Sequence, residues 1–344
     1  MMEQIESVLS KAGAEKYEET SLELIKSILL SGGGAVVLER ASELYARFGD
    51  EKLAELLLLA KDYLLQTASI PDSFYQAGLL TEETYQLLKS VERNLSIDFI
   101  NGLIEGKRLK TKTEREIKSM IKAPLVSVFI MGLVGAFMMS QMYQVVDAMG
   151  IQLSAFLQAI LPVYRLAYEH TGLIGMLIGA FSVFMSYRII MSKLDKSGMR
   201  ELKLALTSLL VKNLVQQKFS YNQIFSLLSA TEKEKRFKEV FSEVADLSLT
   251  SSIKEAIVPF LELIPSTLAV SFISMLERGD EIGAWEYLYE NLKEQFKNKI
   301  VEFKEFVPAI PNGMLFLVMV FSMLPIFGVF PKLMSMFGGA PAVK

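Results

Sequence analysis

Three long apolar runs constrain what this chain can fold into more than any other feature. The first extends from Pro124 to Val146 without a charged side chain. The second begins at Gly172, and Arg188 is the only charge in its first twenty residues. A helix needs about 20 apolar residues to cross roughly 30 Å of hydrocarbon. We therefore predict transmembrane helices over 124–147, 172–192 and 309–332, with a kink in the third at Pro325.

The composition indicates that the rest of the chain lies in water. Hydrophobic residues make up 51% of the 344 residues, yet 22% are charged, which is more than a pure membrane bundle carries. The net charge of −3 and the lack of a basic block give no reason to expect a nucleic-acid partner. The chain has no cysteine, which excludes disulfides, thiolate metal sites and a cysteine nucleophile.

Basic residues flank the apolar runs unevenly. Seven lysines and arginines lie between Lys107 and Lys122, before the first run, whereas Arg165 is the only basic residue in 148–171. Positive flanks stay on the cytoplasmic side of a membrane. We therefore expect a cytoplasmic N-terminus, which the lack of a secretory signal at the start also favours, a short periplasmic loop over 148–171 and a periplasmic tail over 333–344.

The two large regions, 1–123 and 193–308, have the pattern of helical bundles. Apolar residues recur at spacings of three and four, and no alternating strand pattern persists. The predicted fold is all-α: a polytopic membrane protein with three transmembrane helices and two repeated cytoplasmic helical-bundle domains. Predicted helix breaks and starts lie at Gly32–Gly34, Gly49–Asp50, Ser69–Asp72, Gly78, Thr81, Ser220, Thr231–Glu232, Pro259 and Pro265.

The two regions also look like distant copies of one unit. Each contains an apolar helix, a Glu-Arg pair, a short break and a long charged helix that leads into an apolar run. The matching stretches are Leu87–Ile97 and Phe272–Gly283. Lys118–Pro124 and Lys304–Pro311 then follow at matching distances, and each ends in proline.

With these features the chain resembles the type II secretion F family, the inner-membrane platform proteins of type IV pilus and type II secretion machines. The stretch Glu277–Gly283 is similar to the family's glycine and acidic residue followed by a second glycine, and the order of repeats and spans also matches. The first copy departs from this pattern, because Asn94–Asp98 contains neither glycine. The short chain looks more like the type IVb pilus branch.

The resemblance implies a scaffold in the bacterial inner membrane and not an enzyme. It implies three kinds of partner: a hexameric cytoplasmic secretion ATPase, pilin or pseudopilin subunits, and other inner-membrane assembly proteins. We also expect contacts with the lipid bilayer and with further copies of the chain. We expect no cofactor and no metal. The corner between two helices is the candidate partner contact, and the alternative is that its acidic residues simply cap the next helix. Its residues are Glu277, Arg278, Gly279, Asp280 and Glu281.

Other patterns leave alternatives open. Gly132 with Ala136, and Gly175 with Gly179, are small-residue pairs that favour close helix packing, either within one chain or between copies. His170 is the only histidine, so no second imidazole is available for a metal site. A subunit of a transporter or channel is the alternative function, but its pathway would need ionisable residues within the spans. A membrane-tethered enzyme is a third possibility, and no catalytic constellation supports it.

Overall fold

The computed structural model describes residues 2–149, 155–197, 199–321 and 323. Every regular element among these residues is a helix, and none is a β-strand. This confirms the all-α prediction. The first set of helices is α1 (Met2–Ser31), α2 (Gly34–Arg47), α3 (Glu51–Thr67), α4 (Ile70–Gln76), α5 (Glu82–Ser90), a 3₁₀ turn (Glu92–Asn94) and α6 (Ile97–Met149).

Two helices and a second set follow along the chain. The two are α7 (Ala155–Glu169) and α8 (Thr171–Ser197). The second set is α9 (Met199–Gln216), α10 (Tyr221–Thr231), α11 (Lys235–Thr250), α12 (Ile253–Ala256), α13 (Val258–Leu261), α14 (Ser266–Glu277) and α15 (Glu281–Phe306), and residues 309–321 are again helical.

The chain forms two compact units. Met1–Lys112 and Glu201–Gln295 together make one of them, which we call the globular unit. Thr113–Arg200 and the described residues from Phe296 onward make the other, which we call the membrane unit. The two regions predicted as separate bundles therefore share one hydrophobic core, in which the largest fully buried side chains include Phe74, Phe99, Phe225 and Trp285. An apolar stripe in a sequence shows that a face is buried, but not what covers it.

Most predicted helix breaks are confirmed. Gly32, Gly49 and Gly78 have φ values of 69°, 83° and 73°, in the left-handed region that glycine adopts at little cost. The side chains of Asp50, Ser69, Thr81 and Ser220 cap the helices that follow them.

The predicted helix start at Thr231–Glu232 is wrong by a few residues. The amide of Glu232 still donates to the Leu228 carbonyl at 3.0 Å, so Thr231 is the last residue of α10, and α11 begins at Lys235. A threonine near acidic residues is a typical helix start, but here the preceding helix already uses it.

The uncharged parts of three helices lie in the membrane unit. Three helical stretches are long and apolar enough to cross a membrane: Ile97–Ala148, Thr171–Leu194 and Glu281–Phe321. In the most apolar 18-residue window of each stretch, only 28%, 28% and 22% of the window is buried, so these windows expose large apolar side chains. Such surfaces are costly in water and favourable in hydrocarbon.

The predicted loop over 148–171 is largely helical. Residues 150–154 lie outside the described part, and α7 occupies Ala155–Glu169. The i to i−4 pattern passes through the junction with α8, since the His170 amide donates to the Leu166 carbonyl at 2.9 Å and Ile174 donates to His170 at 2.9 Å. Arg165, the one basic residue of the predicted loop, pairs with Glu169 one turn along α7, at 2.8 Å.

Candidate functional site

The corner between α14 and α15 is a Schellman motif followed by an aspartate cap. The Asp280 amide donates to the Met275 carbonyl at 3.1 Å, and the Gly279 amide donates to Leu276 at 3.1 Å. Gly279 has a φ of 79°, which side chains rarely tolerate. The first glycine of the predicted stretch therefore ends α14.

The second glycine makes room for the cap. The carboxylate of Asp280 accepts a hydrogen bond from the Gly283 amide at 2.9 Å, which starts α15. A Cβ atom at Gly283 would lie 2.2 Å from Oδ2 of Asp280, so a larger residue would displace the cap. Both glycines and the aspartate thus have defined structural roles.

An aromatic cluster anchors this corner to the core. The Tyr221 hydroxyl accepts from Nε1 of Trp285 at 3.0 Å and donates to Oε2 of Glu281 at 3.4 Å. The Trp285 ring in turn packs against Phe260 and Phe272, with centroids 5.5 and 4.8 Å away. Burial is the main cause of the raised pKa of Tyr221, so its hydroxyl stays protonated.

The corner presents most of its predicted contact residues to solvent. Glu277, Arg278, Gly279 and Asp280 are exposed, whereas Glu281 is half-buried beneath the contact with Tyr221. The structure therefore brings the five residues together on one rigid turn. A glutamate, an arginine and an aspartate on such a turn can pair with charges on another protein.

The corresponding corner of the first region is built differently. The 3₁₀ turn Glu92–Asn94 precedes α6, and Oγ of Ser96 caps this helix by accepting from the Phe99 amide at 3.2 Å. Gln217 donates to the same Oγ at 3.0 Å, and Glu92 pairs with Lys89 at 2.8 Å. This corner is half-buried at Glu92 and Ser96.

The predicted small residues lie at a close contact within the membrane unit. A Cβ atom at Gly132 would lie 2.5 Å from Cα of Gly179, and one at Gly175 would lie 3.4 Å from Cβ of Ala136. The four residues thus bring α6 and α8 together inside one chain. Pro325, the fifth predicted packing residue, lies outside the described residues.

This contact has a constant antiparallel register. From Gly132 to Tyr143 the chain advances eleven residues along α6, while the contacted residue recedes eleven, from Gly179 to Tyr168. The rings of Tyr143 and Tyr168 stack with centroids 5.5 Å apart. Helix α7 therefore continues the contact that α8 begins.

The register places charged residues at two levels. Lys122 and Arg188, ten residues before Gly132 and nine after Gly179, lie at one end of the helix pair, and Asp147 and Arg165 lie at the other. The 24 intervening residues of α6, 123–146, carry no charge and extend about 36 Å at 1.5 Å per residue. That length fits a hydrocarbon core of ~30 Å with charges in the headgroup regions.

The third candidate membrane helix fits the first of these two levels. A Cβ atom at Gly135 would lie 3.2 Å from Cγ1 of Val318, which sets these two residues side by side. Glu305, thirteen residues before Val318, is then level with Lys122, thirteen residues before Gly135. Residues 306–321 carry no charge, so three helices enter an uncharged layer at one plane.

Sequence reasoning missed a buried ion pair in the globular unit. Glu18 on α1 is 1% exposed and accepts hydrogen bonds from Lys107 on α6 and from Thr81 and Thr84 at the start of α5. Burial alone would raise the pKa of Glu18, but the ammonium of Lys107 and the two hydroxyls outweigh it and hold the pKa below its usual value. Separations of more than sixty residues left no local signal for this network.

Another polar contact that the sequence did not predict joins the two regions of the globular unit. Tyr289 on α15 donates to Oε1 of Glu105 on α6 at 2.5 Å, and Lys293 lies 3.5 Å from the same oxygen. Burial and the contact with Glu105 raise the pKa of Tyr289 to about 12. The hydroxyl therefore remains a donor and connects the two long helices.

Among the described residues, no three histidine, cysteine or carboxylate side chains form a group that could hold a metal ion. His170 is exposed at the junction of α7 and α8.

Compared with models of known protein families the chain matches none, and a search of the curated proteins also finds no match.

Proposed function

We propose that this chain is an inner-membrane platform protein of a type IV pilus or type II secretion machine, which couples a cytoplasmic secretion ATPase to the assembly of pilin or pseudopilin subunits. The observation that carries the proposal is the shared helix order of the two halves of the globular unit. Each half precedes a long helix that continues into an apolar stretch: α6 from the first half and α15 from the second.

The halves follow one plan. In each, a helix (α1 or α9) precedes a close antiparallel pair, α2 with α3 or α10 with α11. Short helices follow, α4 in the first half and α12 with α13 in the second, and then α5 or α14 leads to the capped corner. This order supports a duplicated cytoplasmic domain.

The shared core restricts the topology. Met1–Lys112 and Glu201–Gln295 pack into one unit, so they lie on the same side of any membrane. The chain between them must cross an even number of times, and α6 with α8 supplies two crossings. The basic flanks favour the cytoplasm for that side, and we therefore propose a periplasmic C-terminus in a bacterial cell.

The uncharged spans support a scaffold more than a transporter. A substrate pathway through a membrane is usually marked by ionisable side chains facing the bundle interior. Residues 123–146 and 306–321 contain no Asp, Glu, Lys, Arg or His, and in α8 none of these occurs between Thr171 and Tyr187. Movement of an attached ATPase would instead pass along α6 and α15 by rigid-body displacement.

A photo-crosslinking experiment tests the proposal. The cysteine-free chain allows a single cysteine at exposed Arg278, labelled with a photoreactive maleimide, with exposed Gln66 at the end of α3 as the control site. We expect Arg278→Cys to crosslink to the secretion ATPase of the same cell, and Gln66→Cys to crosslink much less. No ATPase in the crosslinked or co-purified material, together with normal pili and secretion after deletion of the gene, would refute the platform role.

A further inference from the structure

The third membrane helix has an amide side chain where lipid would surround it. Asn312 is exposed, and it lies seven residues beyond Glu305, the last charged residue before the apolar stretch. At 1.5 Å per residue this is about 10 Å along the helix from that charge, which places Asn312 inside the hydrocarbon. Asn312 is also too short to extend its polar end to the headgroups, as lysine and arginine can.

Packing against the described part of the chain leaves this side chain exposed. The helix buries one stripe, formed by Phe303, Val307, Pro311 and Val318. At 100° per residue Asn312 lies about 120° around the helix from Val318. No described residue forms a hydrogen bond with its amide. An unpaired amide in hydrocarbon is costly, so a partner at this depth would stabilise the helix.

The surrounding residues form a helix-packing face. Phe316, Met319 and Met323 are exposed and follow Asn312 at spacings of four, three and four residues. This is the repeat that packs into a facing helix in left-handed helix pairs, where a single asparagine sets the register. In membranes, an amide between two helices adds a hydrogen bond that lipid cannot replace.

We infer that this face binds the same face of a second copy of the chain, with the two Asn312 amides paired across a two-fold axis along the membrane normal. A carboxamide has both a donor and an acceptor, so two of them satisfy each other. Copies inserted in one direction always place Asn312 at the same depth. A different membrane protein would have a matching polar group at that depth only by coincidence. The inference depends on the membrane spans and not on the proposed platform function.

Self-association of the full-length chain in lipid vesicles tests the interface. Energy transfer between labelled copies is measured as the protein is diluted into lipid. Asn312→Val should weaken association by about threefold to thirtyfold, the range that such hydrogen bonds contribute between membrane helices. Gln144→Val is the matched control, because it removes an exposed amide near the level of Asp147 and should leave association unchanged.

Cysteine crosslinking gives a second, independent readout. Met319 lies about 20° around the helix from Asn312, whereas Leu317, also exposed, lies about 140° away. With a membrane-permeant copper oxidant, Met319→Cys should form a disulfide-linked dimer and Leu317→Cys should not. Equal crosslinking at both positions, a monomeric wild-type chain at all dilutions, or unchanged association of Asn312→Val would overturn the inference. Crosslinking of Met319→Cys only to another protein would overturn it in favour of a different partner.

Discussion

Substitution of Gly132 by alanine should separate α6 from α8. The new Cβ would lie 2.5 Å from Cα and 2.6 Å from N of Gly179. Both are backbone atoms that cannot rotate away, and ordinary contacts begin near 3.4 Å. The helices must therefore move apart by about 1 Å at this point, and overpacking of this kind costs about 1 to 3 kcal/mol.

The matched control is Gly172→Ala on α8. It adds the same methyl group to a helix, but nothing lies within 4 Å of its Cβ position. The helix-propensity contribution is shared, so the difference between the variants measures the contact alone. Unfolding of the purified chain by sodium dodecyl sulfate, followed by circular dichroism in mixed micelles, should show Gly132→Ala less stable than Gly172→Ala by about 1 to 3 kcal/mol. Equal stability of the two variants would refute the close contact.

Three further predictions concern the globular unit of the full-length chain in mild detergent. Lys107→Met leaves Glu18 buried without its ammonium, so thermal and denaturant unfolding should show a loss of about 2 to 4 kcal/mol, whereas Arg108→Met removes only exposed ion pairs and should cost below about 1 kcal/mol. Because the pKa of Glu18 is lowered on folding, its ionised form adds to the stability of the folded chain. This contribution is fully present above the unfolded pKa of about 4.5 and disappears as pH falls through the lower folded value. Unfolding measured across this pH range should depend less on pH in Glu18→Gln, and an unchanged pH profile would contradict the prediction. Gly279→Ala forces a side chain into a φ of 79° and should lower the free energy of unfolding by about 1 kcal/mol. Gly33→Ala, at a φ of −113°, is the control and should not lower it. Equal unfolding midpoints of the two variants would argue against the Schellman corner.

Local sequence patterns predicted the elements that local physics determines. The apolar runs, the left-handed glycines and the caps at Asp50 and Ser69 depend on residues within one or two helical turns. Gly279, Asp280 and Gly283 belong to the same class, because their roles as helix stop, cap and space for the cap involve only each other.

Contacts between distant residues had no such signal. The shared core of the two large regions, the pair of Glu18 with Lys107 and the link from Glu105 to Tyr289 join segments far apart in the chain. Helix α7 was missed for a different reason. Its proline and its charged residues are common in loops, and their pairing along one helix face becomes evident only when the helix is present.

Labelling of single cysteines tests the central claim, that the two large regions lie on one side of a membrane crossed by three helices. Exposed positions on the cysteine-free chain are Gln66 and Ser242 in the globular unit and Gln144 near the C-terminal end of α6. With a membrane-impermeant maleimide, Gln144→Cys should react in cells whose outer membrane alone is permeabilised, and Gln66→Cys and Ser242→Cys only after the inner membrane is opened. Labelling of Gln66→Cys and Ser242→Cys on opposite sides, or of all three positions on one side, would contradict the account.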